Sequence, residues 1–232
     1  MKKLLLCALI LLFALPACGN AQNLTPEEAL RKNFPKINFE SVKPTQIKGI
    51  YEVQSGNQIL YFLPEAEVII AGNIITKDGV NLTRESNLKR MAAKMADLPL
   101  GDALKIGRGK TTVVKFTDPN CPYCRQAFQY FAGRKDVTLY VFLIPLSQDS
   151  ERKIKYIFCS GNREKAYDEA LSGKLDGKVS LDICQDQKTD ELMNKHRQIA
   201  QQAGVRATPT FYIKGKAVDG FDKKMLEDIL GN

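Results

Sequence analysis

Thr111-Thr112-Val113-Val114-Lys115-Phe116-Thr117, Asp118-Pro119-Asn120 and Cys121-Pro122-Tyr123-Cys124 form the stretch that decides the fold. The first seven residues read as a buried strand. Gln126 to Ala132 reads as a helix, with Phe128 and Phe131 on one face. Two cysteines separated by two residues therefore stand where a strand passes into a helix. A cysteine at a helix N-terminus meets unpaired N–H groups and the positive end of the helix dipole. Both favour the thiolate, which is the species that attacks disulfides. Pro122 suits the first helical turn, where its missing N–H costs nothing. The spacing predicts that Cys121 is an exposed nucleophile and Cys124, one turn further in, a shielded resolving thiol.

Other uses of the pair are weaker. Zinc needs further ligands. Cys159 and Cys184 are not spaced as a second knuckle, and the single histidine, His196, lies on a polar helical stretch. No metal and no separate cofactor is expected; the dithiol itself carries the electrons. A purely structural Cys121–Cys124 bond is disfavoured by the strand–CxxC–helix setting.

The N-terminus carries Lys2 and Lys3, an apolar run from Leu4 to Leu15, and then small residues. This is the order of a secretory signal, with an apolar core too short to span a bilayer. Cleavage after Ala21 would leave Gly19 at the small-residue position. Alternatively, Leu15-Pro16-Ala17-Cys18 resembles a lipobox, and Cys18 would carry lipid. Export out of the cytoplasm is expected in either case. Of six cysteines, Cys7 and Cys18 are then removed or modified. Four remain, and they pair as Cys121 with Cys124 and Cys159 with Cys184. In an oxidising compartment the second pair reads as a staple, with two free thiols as the alternative.

The net charge of +8 is spread thinly, with no dense basic tract, so a solvated surface is expected rather than a nucleic-acid interface. Gly107-Arg108-Gly109-Lys110-Thr111 imitates the tail of a phosphate loop, but Leu104 replaces its first glycine and a strand follows. It is read as a hairpin turn.

Thr25-Pro26-Glu27-Glu28 is a capping box opening a short helix. Ile47–Val53 and Ile59–Phe62 flank a hairpin signal at Ser55-Gly56-Asn57, and Val68–Ile75 reads as a longer strand before a turn at Lys77-Asp78-Gly79. So small a sheet has little core of its own, and an exposed edge invites pairing with a second copy. Thr83–Leu98 reads as an amphipathic helix, with Leu88, Met91, Met95 and Leu98 in one stripe. It suits a connecting segment, or equally a core helix. From Ala103 the order is β, β, α, β, a helical stretch, then β, β, α. Thr208-Pro209 precedes the closing strand pair, where a proline belongs at a strand's first residue. This is the thioredoxin arrangement with a helical insertion. In that fold the bond before the proline is cis and sits beside the CxxC; an ordinary trans turn proline is the alternative.

With Gly49-Ile50-Tyr51-Glu52-Val53, Gly56-Asn57-Gln58, Phe116-Thr117-Asp118-Pro119-Asn120 and Thr208-Pro209 in place, the mature chain resembles the bacterial periplasmic disulfide isomerases of the DsbC/DsbG type. The resemblance implies an α+β chain: a signal peptide (1–21), a cystatin-like N-terminal dimerisation domain (22–82), a linker helix (83–101) and a thioredoxin-like catalytic domain (102–232). It implies catalysis by Cys121 and Cys124, client contact at Thr208, Pro209, Pro122 and Tyr123, and a structural Cys159–Cys184 disulfide. It implies a V-shaped homodimer with an apolar cleft, misoxidised secreted proteins as clients, and recharging by a membrane thiol reductase of the DsbD type. The Pro-Tyr dipeptide is that of DsbG where DsbC has Gly-Tyr, so a reductase of sulfenylated cysteines with client-holding activity is the alternative. Lys115 stands six residues before Cys121, where thioredoxins bury an acid. A cation there would stabilise the thiolate, but its long stem is expected to carry the charge to solvent.

Overall fold

The computed structural model describes residues 24–178, 180–184 and 186–231. The expected signal peptide and the alternative lipid site at Cys18 lie outside these residues. The chain divides into two compact units, which part between Ala71 and Gly72.

The first unit opens with helix α1 (Pro26–Asn33), held by the anticipated capping box: Glu28 N donates to Thr25 Oγ1, and Thr25 N donates to the Glu28 carboxylate. Strands β1 (Ser41–Pro44), β2 (Tyr51–Ser55), β3 (Gln58–Leu63) and β4 (Val68–Ala71) follow as an antiparallel meander in that order. Its small core is Leu30, Val53 and Phe62, with Phe34 edge-on to Phe62. Strand β1 has no alternating apolar signal; it is defined by its ladder with β2, Ser41 to Pro44 against Gln54 to Tyr51. Strand β4 is shorter than the expected Val68–Ile75. Its ladder ends at Ala71 opposite Leu60, and Ile75 instead bridges Asn81 across the turn that Gly79 N closes onto Thr76 O.

The second unit contains α2 (Leu82–Met95), a 3-10 turn (Leu100–Asp102), β5 (Leu104–Ile106), β6 (Thr111–Thr117), α3 (Pro122–Ala132), β7 (Val137–Leu143), α4 (Gln148–Cys159), α5 (Arg163–Leu171), α6 (Gln187–Ala203), β8 (Thr210–Ile213), β9 (Lys216–Asp219) and α7 (Lys223–Leu230). The sheet order is β5-β7-β6-β8-β9, with β6 and β7 parallel and the other pairs antiparallel. Strand β6 is therefore central. The hairpin reading of residues 107–111 is corrected, because β7 lies between β5 and β6. The connection instead runs against the start of β7, where Gly109 N donates to Val137 O and Thr111 N to Asp136 O. A Cβ on Gly109 would fall 2.1 Å from Val137 N, so only glycine permits this approach.

Alternate residues of β6 face opposite layers. Val114 and Phe116 pack with Phe142 against Leu88, Ala92 and Met95 of α2 and Ile199, Ala200 and Ala203 of α6. Of the two sequence readings of helix α2, a connecting segment or a core helix, the packing matches the second: α2 forms one layer of this unit, and Arg84 also pairs with Asp219 of β9 at 2.7 Å. Val113 faces the other layer, with Ala127 and Phe131 of α3 and Ile154 and Ile157 of α4. Cys159 at the end of α4 is bonded to Cys184, with Cα atoms 5.5 Å apart. Closing a loop of this size contributes about 3 kcal/mol in the chain-entropy account.

His196 is not on a polar face, as its neighbours in sequence suggested; it is fully buried. Nδ1 accepts from Leu143 N at 2.9 Å, Nε2 donates to Asp102 O at 2.8 Å, and the rings of Phe142 and Phe158 stand edge-on to it. One ring nitrogen must therefore stay unprotonated. Burial lowers the His196 pKa below its ordinary 6.5. The unfolded chain takes up this proton near pH 6.5 and the native chain does not, so the stability contribution is complete above that pH and lost below it. Urea unfolding should show stability falling between pH 7 and pH 5, and His196→Asn should remove part of that slope. An unchanged slope in the variant would show that this imidazole does not govern it.

Candidate active site

Strand β6 ends at Thr117, and three residues later Cys121 caps α3 with extended backbone (φ −72°, ψ 121°) and Pro122 at the first helical position. The turn between them is organised by Asp118, which is buried to 1% exposure. Its Oδ1 accepts from Asn120 N (2.6 Å) and Cys121 N (3.0 Å), and its Oδ2 accepts from Leu146 N (2.8 Å) beyond the end of β7. One carboxylate thus fixes both the cysteine loop and the neighbouring one. Asn120 is held from the other side: Lys153 Nζ donates to its Oδ1 at 2.6 Å, and its own amide donates to Asp149 at 2.9 Å. Arg125 of α3 donates to Pro119 O and grips Asp176 through two 2.7 Å bonds. Hydrogen bonds from Arg125 and then Lys153 hold the Asp176 carboxyl well below the usual range.

The two cysteines, the free ones among the described residues, have different surroundings. Cys121 is half-buried, and its thiol donates to Thr208 O at 3.3 Å. The Thr208–Pro209 peptide bond is cis. Pro122 is exposed, and Tyr123 is 61% exposed. Cys124 is fully buried, and its sulfur accepts from Asp118 N at 3.4 Å. Burial pushes its thiol up to about 11, opposed in part by the Asp118 amide and the Thr117 and Thr208 hydroxyls. Those two hydroxyl oxygens are buried without any other partner. The structure therefore brings Cys121, Cys124, Thr208 and Pro209 together, with Pro122 and Tyr123 at the mouth. Cys159 and Cys184 form a separate disulfide.

Lys115 departs from expectation. Its charge does not reach solvent; the side chain is fully buried. A residue on the central strand has no edge past which to extend, and this one points into the layer that holds α3. Nζ donates to Tyr167 OH of α5 at 3.1 Å. Desolvation lowers the ammonium to about 8, although Cys124 and Cys121 act in the opposite direction. Burial raises the Tyr167 phenol far above its usual range, so it stays protonated.

Three residues near the cysteines had no role in the sequence reading. Asp118 stood inside a quoted motif, and a carboxylate three residues before the first cysteine was its signal. Tyr167 and the 62% exposed Leu146 arrive from later segments, and nothing local marks them.

A five-stranded sheet with a dithiol at the end of its central strand and a cis-proline beside it defines a thioredoxin-like domain. The thioredoxin-like domain family matches residues 103–230, and the disulfide bond isomerase protein N-terminal domain matches residues 17–84. A probable thiol:disulfide interchange protein DsbC of Bordetella avium is 31% identical over 195 residues, covering 81% of this chain and 68% of that one. The thiol:disulfide interchange protein DsbC of Escherichia coli K12 is 25% identical over 230 residues, covering 94% and 93%. The thiol-disulfide exchange protein alpha-DsbA2 of Wolbachia pipientis shares the fold, with TM-score 0.50 and 19% identity over 64% of this chain and 97% of that one. The chain belongs to the DsbC family of thiol:disulfide interchange proteins.

Asp118→Ala should leave the amides of Asn120 and Leu146 without this acceptor and Cys121 N with only its longer bond to the residue-118 carbonyl. The expected cost is about 2 kcal/mol in chemical denaturation, with slower alkylation of Cys121 by iodoacetamide as the loop loosens. A variant as stable as the parent would mean that the turn holds without its carboxylate.

Proposed function

We propose that this protein is a periplasmic protein-disulfide isomerase and reductase acting through Cys121 and Cys124. The observation that carries the reading is the asymmetry of the pair: one sulfur reaches the surface at a helix N-terminus beside a cis-proline, and the other is sealed behind it. The Cys121 thiolate attacks one sulfur of a wrong disulfide, and the client's other sulfur leaves as a thiolate. If a second client thiol then attacks the mixed disulfide, Cys121 is released and the bond has moved with no net oxidation. If Cys124 attacks first, the client leaves reduced and Cys121–Cys124 becomes a disulfide.

Cys124, held up to about 11, is a thiol at neutral pH and must ionise before it can attack. That slows resolution and gives a client thiol time to compete, which favours rearrangement over reduction. Thr208, Pro209 and Pro122 receive the client backbone, and the exposed Tyr123 and Leu146 offer apolar contact to unfolded segments.

In this reading residues 1–21 are the export signal, 22–82 a dimerisation domain and 102–232 the catalytic domain, with 83–101 a linker whose helix α2 packs on the catalytic sheet, and a membrane reductase of the DsbD type restores the dithiol. Strand β4 lies at a sheet edge and exposes Val68 and Ile70. Both features suit pairing with a second copy.

Refolding of scrambled ribonuclease tests the activity. Cys121→Ser should abolish it, and Cys124→Ser should accumulate a client mixed disulfide visible on non-reducing gels. Full turnover by the Cys121 variant would overturn the proposal. Ile70→Lys should shift sedimentation from dimer to monomer; an unshifted dimer places the interface elsewhere.

A further inference from the structure

Lys115 is a buried cation that the exchange steps above do not use. It sits on the central strand β6, fully buried, and its Nζ donates to Tyr167 OH. Among the described residues no carboxylate pairs with it. Its register neighbours, Val141 on β7 and Phe211 on β8, carry no charge. The titratable groups that act on it are Cys124 and Cys121, from α3 and its cap, and they are joined at its amine by the Tyr167 phenol of α5. The buried Asp118 carboxylate is taken up by the amides of Asn120, Cys121 and Leu146. A charge in a packed core without a counter-ion is costly. The anions this core can offer it are the thiolates that Cys124 and Cys121 form when they ionise.

We propose that Lys115 is a positioning residue of the resolving step, its buried ammonium stabilising the negative charge that Cys124 develops as it attacks Cys121. The inference rests on the exchange reading and deepens it. The step balances as follows. The Cys124 thiol loses its proton, and its sulfur bonds to Cys121 Sγ. The Cys121–client bond breaks, and the client sulfur leaves with the electron pair and takes up one proton. Cys121 and Cys124 are oxidised together as the client disulfide is reduced, and Lys115 keeps its own protons throughout.

The Thr117 and Thr208 hydroxyls, buried without another partner, complete the setting for the same anion. Once the Cys121–Cys124 disulfide has formed, neither sulfur can become a thiolate to support the ammonium. Burial then acts on Lys115 unopposed, so oxidation of the dithiol weakens its hold on a proton. Burial already brings the amine down to about 8, so this change falls within a titratable range.

The test uses the full-length protein carrying glutathione on Cys121, and follows glutathione release across pH 6 to 9. Lys115→Met keeps the length and apolar stem of the side chain and removes the charge. Release in the variant should slow about tenfold at pH 7, with its pH profile displaced upward by about one unit. A packing defect alone would not displace the profile. Equal rates and profiles, with the parent still active on scrambled ribonuclease, would overturn this inference and leave the exchange reading intact. A parent that never releases glutathione would overturn both.

A second measurement needs no variant to fold. NMR titration of lysine side chains in the dithiol and disulfide forms should show the Lys115 ammonium deprotonating at lower pH in the disulfide form. Identical midpoints in the two forms would also overturn the inference.

Discussion

The placement of one buried carboxylate governs everything near the cysteines. Asp118 is almost wholly removed from solvent, and its two oxygens accept three backbone N–H groups from two loops. A carboxylate in such a place is tolerable only because those donors replace its water. Its position sets where β6 ends, how α3 begins and how close the segment after β7 lies. The helix N-terminus that receives Cys121 therefore has a definite orientation. The outer clasp of Arg125, Lys153, Asp149 and Asp176 restrains the same turn from the solvent side. Its carboxylates are about half exposed, so each pair adds little alone. Lys153, at 2% side-chain exposure, is the member whose partners matter most.

Burial then separates two chemically identical side chains. Cys121 and Cys124 are one helical turn apart, yet one meets solvent and the other meets packed aliphatic and aromatic groups. Cys121 is the cap that precedes α3, whereas Cys124 lies within its first turn on the face that Ala127 and Phe131 also bury. The order of events in the proposed exchange follows from this geometry, since a sulfur without access to solvent cannot meet a client directly.

Features set by local chemistry were legible in the sequence, and features set by packing partners were not. The capping box at Thr25, the strand ending before Cys121 and the helix after it rest on residues adjacent in the chain. The Cys159–Cys184 bond was legible by count, because export leaves few alternatives. Strand β1 was missed because Ser41–Pro44 carries no periodic signal and is defined by β2 alone. The order β5-β7-β6 was missed because a short glycine-rich connection suggests adjacency, whereas the pairing of β7 with both strands decides otherwise. His196 and Lys115 were misplaced for one reason. A polar side chain looks exposed until the particular acceptor that allows its burial is known, and Asp102 O and Tyr167 OH are distant in sequence.

Thr208 offers a single carbonyl oxygen at the mouth of the site, and in the resting dithiol the Cys121 hydrogen already occupies it. An extended polypeptide docking along the cis-proline would present its own amide to that oxygen. The client amide and the thiol hydrogen would then compete for one acceptor. A chain that binds in register displaces the sulfur's hydrogen and leaves the thiol without that partner. Small thiols and stray oxidants, lacking a backbone to offer, would leave that hydrogen bond in place.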